Sequence, residues 1–184
     1  MKKVSLLLLA CIAAITILHA QQVPPAPADK AVVYFVRISS LGFAINFSYF
    51  DSTRLIAKCN GTNYVRYECQ PGPHLFWARS ENRDYIEAEL EAGKIYFVEV
   101  QPQMGGLKAA VQLYPVTPDN EKRMGKILKL MGKKSQESFS SEELSREEAE
   151  MQDIIKRGLE KYKEDKEKGK KIEQLEKTMF YTPS

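Results

Sequence analysis

Residues 60–78 of this 184-residue chain read N-G-T-N-Y-V-R-Y-E-C-Q-P-G-P-H-L-F-W-A. Two turn signals, Asn60-Gly61 and Pro71-Gly72, enclose an alternating segment. In it Tyr64, Arg66 and Glu68 would lie on one face, and Val65, Tyr67 and Cys69 on the other. Glycine supplies the positive φ that tight turns need, and proline presets the φ of a turn. Alternation with a period of two is typical of a half-buried strand. The stretch therefore predicts a strand between two turns, the central hairpin and corner of a small β-sandwich.

Further candidate strands lie on both sides of this stretch. The eight candidates are residues 31–37, 43–50, 54–59, 64–69, 74–80, 85–90, 94–101 and 107–114. In the second of them, Phe43 is expected to share one face with Phe47 and Tyr49. Short strands with turn signals about every ten residues are typical of an all-β sandwich or barrel. We therefore predict a mainly β fold, an antiparallel β-sandwich of about seven or eight strands over residues 31–116, followed by a C-terminal α-helical hairpin or tail.

Four motifs in this part of the chain resemble those of a known group of proteins. They are K-A-V-V-Y-F-V-R at residues 30–37, N-G-T-N-Y at 60–64, P-G-P-H at 71–74 and A-G-K-I-Y-F-V-E-V at 92–100. Together they resemble a bacterial family of small exported β-sandwich domains of unknown function, and the wider PEGA-type sandwiches. The resemblance implies a β-sandwich fold and export, and it brings no known catalytic residue.

The N-terminal twenty residues have the layout of a secretory signal peptide. Met1-Lys2-Lys3 is basic, residues 4–18 are almost wholly apolar, and Ala20 is a small residue at the expected cleavage point. A retained membrane anchor is one alternative, although the run is short for a span of about 20 residues. Lipidation at Cys11 is another, but the apolar run continues past that cysteine. We therefore expect an exported bacterial protein that is periplasmic, outer-membrane-associated or extracellular, with residues 21–30 as an extended Pro-rich linker.

Beyond residue 116 the composition changes to that of a charged helical tail, residues 117–178, with residues 179–184 as a short C-terminal end. Thr117-Pro118 predicts one helix start, and Ser140-x-x-Glu143 matches a capping box that predicts another. A basic helix over about residues 118–133 would be followed directly by an acidic one. This charge pattern predicts an αα-hairpin. Packing of four apolar side chains is expected to hold it: Leu144, Met151, Ile155 and Leu159.

Once residues 1–20 are removed, two cysteines remain, Cys59 and Cys69. A pair of cysteines in an exported chain is more often a disulfide than a metal site. A plain hairpin at Asn60-Gly61 would place the two thiols too far apart, whereas a crossing between sheets would permit a bond. Both a disulfide and two separately buried thiols stay open at this point.

Sequence signatures of catalysis are scarce. His74 is the only histidine outside residues 1–20, and one histidine with two cysteines offers no metal-ligand spacing. No glycine-rich phosphate loop occurs. We therefore predict no catalytic residue, no cofactor and no metal, with a small hydrolase using His74 as the alternative from another class. The net charge falls from +3 to +1 without Lys2 and Lys3, so charge indicates no nucleic-acid partner.

The strongest candidate for a binding surface is a run of basic residues without an intervening acid: Lys122, Arg123, Lys126, Lys129, Lys133 and Lys134. Such an amphipathic segment can lie on anionic lipid or bind an acidic partner, and it can also simply face water and the acidic helix. We therefore predict an exported, non-catalytic binding or structural module of the bacterial envelope. The alternative is an envelope-surface scaffold that contacts anionic lipid through this helix. Its partner is expected to be an envelope protein or a membrane surface, and its oligomeric state is left open.

Overall fold

The computed structural model describes residues 23–105 and 108–183. The predicted signal peptide, including Cys11, lies outside these residues. The strands are β1 (Ala31–Arg37), β2 (Phe47–Asp51), β3 (Arg54–Cys59), β4 (Asn63–Cys69), β5 (Gly72–Arg79), β6 (Arg83–Leu90), β7 (Ile95–Gly105), β8 (Lys108–Val116) and β9 (Glu173–Leu175). The helices are α1 (Glu121–Met131), α2 (Ser141–Glu150) and α3 (Gln152–Glu167). The eight candidate strands are therefore all present within a few residues of their predicted bounds, and β9 was not predicted.

The strands form two mixed sheets. Sheet A has the order β4-β1-β7-β8, and sheet B has the order β3-β2-β5-β6-β9. In sheet A, β1 pairs with β7 in parallel, with Tyr34 opposite Phe97. In sheet B, β6 pairs with β9 in parallel, with Glu87 opposite Gln174. The prediction of an antiparallel β-sandwich is therefore wrong, because both sheets are mixed, although the protein is mainly β.

The chain path explains the parallel pairs. After β1 the chain moves to sheet B for β2 and β3, returns to sheet A for β4, and moves again to sheet B for β5 and β6. When it enters sheet A for β7, it arrives in the same direction as β1, over a connection long enough for parallel pairing. The predicted hairpin at Asn60-Gly61 is also wrong. Gly61 does adopt a positive φ of 62°, but it joins β3 in one sheet to β4 in the other.

Aromatic side chains form the core between the two sheets. Phe35 of sheet A stacks on Tyr49 of sheet B with ring centroids 5.7 Å apart, and it meets Phe76 edge-on at 5.4 Å. Both outer faces of the sheets are also covered. Met124 and Ile127 of α1 are buried on sheet A, while Ile155 of α3 is buried on sheet B. The layers therefore run helix, sheet, sheet, helix, and this explains why all seven residues of β1 are buried.

The predicted αα-hairpin between a basic and an acidic helix is wrong, because α1 and α2–α3 lie on opposite sides of the two sheets. α2 contacts β3 instead, where Glu148 accepts a hydrogen bond from Leu55 N at 2.7 Å and Glu147 pairs with Lys58 at 2.7 Å. Exposed ion pairs stabilise a fold by only about 0–1 kcal/mol, so burial of each helix on an apolar sheet face is favoured. The apolar residues expected to hold the hairpin do pack, but against sheet B: Leu144, Met151, Ile155 and Leu159.

The helix starts are clear in both helices that carry side-chain caps. The Ser140 and Glu143 side chains bond each other's backbone N–H, which confirms the predicted capping box of α2. α1 begins later than predicted, because Asn120 rather than Thr117 caps it. At both ends the described chain folds back onto sheet A. Val23 is buried there, and Tyr181 N donates to Ile95 O at 2.7 Å.

Candidate functional site

His74 is placed by the third crossing between the sheets, from β4 to β5. Gln70 is the first residue after β4, and Gly72, with a φ of 112°, begins β5. His74 follows two residues later, with Nδ1 2.7 Å from Asp51 Oδ2 and Nε2 2.8 Å from the Gln70 carbonyl oxygen. Both partners accept hydrogen bonds, so both ring nitrogens donate, as only an imidazolium can.

The charge on His74 has a clear physical cause. The hydrogen bond to the Asp51 carboxylate, followed by those to Cys69 and the Gln70 carbonyl, raises the pKa of His74 to about 10. Tyr67 donates a further hydrogen bond to Asp51 Oδ2 at 3.0 Å. At neutral pH His74 is therefore a cation that fastens β5 to β2 and to the end of β4.

Cys69, His74 and Asp51 are the residue types of a cysteine-hydrolase triad. Such a triad needs an imidazole nitrogen that can take the proton of an accessible thiol. Cys69 interacts with His74 and helps to raise the pKa of the imidazole. However, Nε2 of His74 donates to the Gln70 carbonyl, and Cys69 is only 7 % exposed, with its sulfur 3.9 Å from the Ala31 carbonyl oxygen. The arrangement is that of a structural ion pair, and it disfavours the hydrolase alternative.

A groove of about 880 Å³ opens beside His74, between the β5–β6 hairpin and residues 174–178. Its central acid, Glu87, accepts hydrogen bonds from Lys166 at 2.6 Å, from Gln174 at 2.8 Å, and from the Tyr162 hydroxyl. These donors, Lys166 first, lower the pKa of Glu87 to about 2. Burial and the Glu87 bond raise the pKa of Tyr162 to about 12. The polar groups of the groove therefore attach α3 to sheet B and the β9 side chain Gln174 to β6.

The two cysteines are free, so the expected disulfide is absent from the fold. The chain does cross between sheets after Cys59, but the register separates the thiols. Cys59 lies at the end of the molecule where β4 begins, and Cys69 ends β4 six residues after Asn63, about 20 Å further along at about 3.3 Å per residue. Burial raises the pKa of the Cys59 thiol to about 11. The alternative of two separately buried thiols is the one observed.

A second feature is the β1–β2 loop, residues 38–46, which has an exposed tip on a fixed base. Arg37 is fully buried, and its guanidinium donates to the carbonyl oxygens of Leu41 and Gly42 at 2.8 Å and of Ile45 at 3.1 Å. Leu41 is 44 % exposed and Phe43 is 71 % exposed. The prediction that Phe43 belongs to a strand is therefore wrong, because β2 begins only at Phe47.

The predicted basic contact surface lies on the outer side of α1. Its exposed members are Lys122, Lys126, Lys129, Lys133 and Lys134. Arg123 differs, because its guanidinium pairs with Glu99 at 2.9 Å and lies 5.9 Å from the centre of the Tyr114 ring. A groove of about 500 Å³ brings Ile38 and Ser39 of the loop together with Lys122, Arg123 and Lys126. That these basic residues contact a partner stays a prediction.

Two important residues were not identified from the sequence. Arg37 carries a usable signal, since a lone charge that closes an otherwise apolar strand must find carbonyl partners if it is buried. Glu87 has no such signal, because its donors lie about 75 or more residues away along the chain. Local patterns report only on neighbours in sequence.

No family model matches the chain, and no curated protein matches it in sequence. The resemblance to exported β-sandwich and PEGA-type domains therefore stays a prediction. None of the helices in the described part of the chain is long and apolar enough to cross a membrane. Within residues 23–105 and 108–183, no three or more His, Cys, Asp or Glu side chains are grouped as a metal site would need.

Proposed function

We propose that this chain is an exported, non-catalytic binding module of the bacterial envelope. The observation that carries the proposal is the β1–β2 loop, which exposes Leu41 and Phe43 from a base fixed by the buried Arg37. Folding favours burial of large apolar side chains, and an apolar tip on a rigid support is typical of a contact surface. The export part of the proposal rests on the layout of residues 1–20.

Two further contacts support a non-catalytic role. The charged His74 uses both nitrogens within the fold, and a general base must be able to accept a proton near neutral pH. Glu87, the central acid of the neighbouring groove, is held by three donors at a pKa of about 2. Both groups hold strands and helices together.

A substrate screen tests the non-catalytic part. Wild-type protein, His74→Ala and Cys69→Ser would be incubated with ester, thioester, glycoside and peptide substrates. We expect turnover no higher than that of buffer for all three proteins. Turnover by the wild type that both substitutions abolish, while circular dichroism shows the variants folded, would overturn the proposal in favour of a hydrolase.

Fractionation of cells that express the full chain tests the export part. We expect the protein outside the cytoplasm, with an N-terminus at Gln21 by mass spectrometry. A cytoplasmic protein that keeps residues 1–20 would contradict export without bearing on the substrate screen.

A further inference from the structure

The β1–β2 loop has the properties of a membrane-contacting tip. None of the nine residues 38–46 is charged, and Leu41 and Phe43 are the large hydrophobic residues that the described part of the chain exposes. Three carbonyl oxygens of the loop are bonded to Arg37, whose guanidinium also lies 4.2 Å from the centre of the Phe47 ring. Since the base is already ordered, little conformational entropy is lost when the tip enters an apolar environment.

A lysine face lies beside this loop. We give this name to Lys122, Lys126 and Lys129, which fall within about 60° of one another around α1 at 3.6 residues per turn. Met124 and Ile127, buried on sheet A, occupy the opposite side of the helix. The three lysines therefore lie on the side of α1 opposite its contact with sheet A, and none of them forms an ion pair with a described residue.

The loop and the lysine face form one continuous surface. Ile38 and Ser39 at the base of the loop line the same groove as Lys122 and Lys126, and Leu41 follows two residues after Ser39. Asp119 and Glu121 lie at the start of α1, and Glu99 is paired with Arg123. Four basic residues of α1, Lys122, Arg123, Lys126 and Lys129, lie beside these three acids, and Lys133 and Lys134 follow the helix, so the surface joins an apolar tip to a small excess of positive charge.

We infer that this surface binds a bilayer containing anionic phospholipid, with Phe43 and Leu41 entering the interface and the lysine face lying over the headgroups. The inference rests on the proposed binding module and names its partner. An uncharged apolar tip suits the acyl boundary, which offers no specific side-chain partner, and lysines are drawn to anionic headgroups without fixed geometry. An acidic protein partner would instead be expected to meet defined donors in a shaped pocket.

Co-sedimentation with vesicles tests the inference. The chain from Gln21, which retains every described residue, would be mixed with vesicles of phosphatidylcholine alone or with added phosphatidylglycerol. We expect binding only to the anionic vesicles, and a steady loss of binding as salt is added, because screening weakens attraction between exposed charges.

Substitutions separate the two halves of the surface. Phe43→Ser is expected to weaken partitioning about tenfold, since it removes most of the buried apolar area at the tip. Lys122→Gln with Lys126→Gln is expected to weaken it about twenty-five-fold at low salt, at about fivefold per lysine. The matched control is Lys156→Gln with Lys163→Gln, an equal change in charge at exposed positions of α3 on the other side of the molecule, and it should leave binding unchanged.

An optical measurement reports insertion directly. Phe43→Trp places an indole at the tip, while the native Trp77 is fully buried. We expect its emission to shift to shorter wavelength with anionic vesicles and to be quenched by lipids brominated on the acyl chain. Wild-type protein, with Trp77 alone, should show neither effect.

Three outcomes would overturn the inference. They are no binding to anionic vesicles, equal losses in the α1 and α3 lysine variants, and a Phe43→Trp indole that vesicles do not affect. Self-association of the chain that Phe43→Ser abolishes, without vesicle binding, would assign the surface to a second copy instead. That result would contradict lipid binding but would agree with a non-catalytic binding module. The substrate screen tests the module independently of the vesicle experiments.

Discussion

The two outer layers of the molecule cover their sheets in different ways. α1 lies on sheet A through apolar side chains such as Met124 and Ile127, with one ion pair between Arg123 and Glu99. In the layer on sheet B, the backbone of α3 comes very close to the sheet. At Gly158 of α3, an added Cβ would lie 2.5 Å from the Trp77 ring, and the Gly158 carbonyl accepts a hydrogen bond from Tyr85 at 2.7 Å.

This difference shows how one fold can hold one helix by polar contacts and leave the charged face of another without ion pairs to the described residues. On sheet B, Glu87, which faces outward from β6, is bonded to both α3 and β9. On sheet A, α1 is held by the apolar side chains of its inner face, so its attachment does not depend on its lysines. The predictions below test whether the two layers differ as described, from the largest expected effect to the smallest.

Substitution of the two helical glycines should have opposite effects on stability. Gly158→Ala places a methyl group against the buried Trp77 ring, and such overpacking typically costs about 1–3 kcal/mol, so we expect a loss of about 3 kcal/mol. Gly125→Ala in α1 meets nothing within 4 Å, and it should stabilise the protein by about 0.5–1 kcal/mol through helix propensity alone. Urea denaturation of both variants measures the two free energies.

A stabilising Gly158→Ala would contradict the close approach of α3 to sheet B. Gly158→Ser serves as a second variant: it adds the same Cβ with a hydroxyl beyond it and has a lower helix propensity than alanine, so it should destabilise the protein at least as much. If steric contact with Trp77 is the cause, Trp77→Phe should recover part of the stability lost in Gly158→Ala, and a double-mutant cycle measures that coupling.

The local elements of this fold were predictable because their causes are local. Alternation and apolar runs located eight strands, and β1 and β3 have the predicted bounds. Gly61 and Gly72 adopt the positive φ expected of their turns. The Ser140 capping box likewise depends on residues only three apart.

Features that depend on distant contacts were not predictable. The parallel pairing of β1 with β7 joins segments about 60 residues apart, and turn chemistry carries no information about it. β9 has three residues inside a highly charged tail, so no periodic pattern marks it, and it exists because β6 offers an open edge. The groove beside His74 likewise forms only when Glu87 meets α3 and β9, so the candidate site was predicted less completely than the strands.

The His74 ion pair lies between the sheets, so its loss should affect both layers equally. His74→Ala leaves Asp51 without its charged partner, and we expect a loss of about 2 kcal/mol. Because the folded pKa of about 10 exceeds the unfolded value of about 6.5, the charge contributes fully below about pH 6.5 and is lost as pH rises through about 10.

Urea denaturation between these two pH values measures the effect. The stability difference between wild type and His74→Ala should shrink as the solution becomes alkaline. A difference that grows with pH would mean that His74 is neutral in the folded protein. A neutral His74 could accept a proton, and the hydrolase alternative would then have to be tested again.

Acid should loosen the layer on sheet B before the layer on sheet A. The Glu87 pKa of about 2 lies below its ordinary value of about 4.5, so this carboxylate stabilises the fold above about pH 4.5 and stops doing so as pH falls through about 2. Hydrogen exchange, corrected for intrinsic rates, should show α3 and β9 losing protection in acid before α1.

Glu87→Gln should reproduce that loss at neutral pH, with a cost of about 1–2 kcal/mol, because Lys166 and Tyr162 lose a charged acceptor. Glu89→Gln is the matched control, since this exposed residue lies two positions along the same strand. Equal protection of α1 and α3 at every pH, in wild type and variant alike, would contradict the asymmetry between the layers.

The smallest effect compares one lysine from each layer. Lys166→Ala removes the 2.6 Å contact with Glu87, and we expect a loss of about 0.5–1 kcal/mol, the upper range for an exposed ion pair. Lys129→Ala removes no internal contact on the described residues, and alanine has the higher helix propensity, so stability should stay within about 0.5 kcal/mol or rise slightly. Thermal denaturation in low and high salt follows both effects, because screening should diminish the Lys166 contact and also the smaller interaction of Lys129 with the C-terminal end of the α1 dipole. A Lys129→Ala protein as destabilised as Lys166→Ala would mean that the lysine face is held by the fold, and a face held that way would not be free to meet a lipid surface.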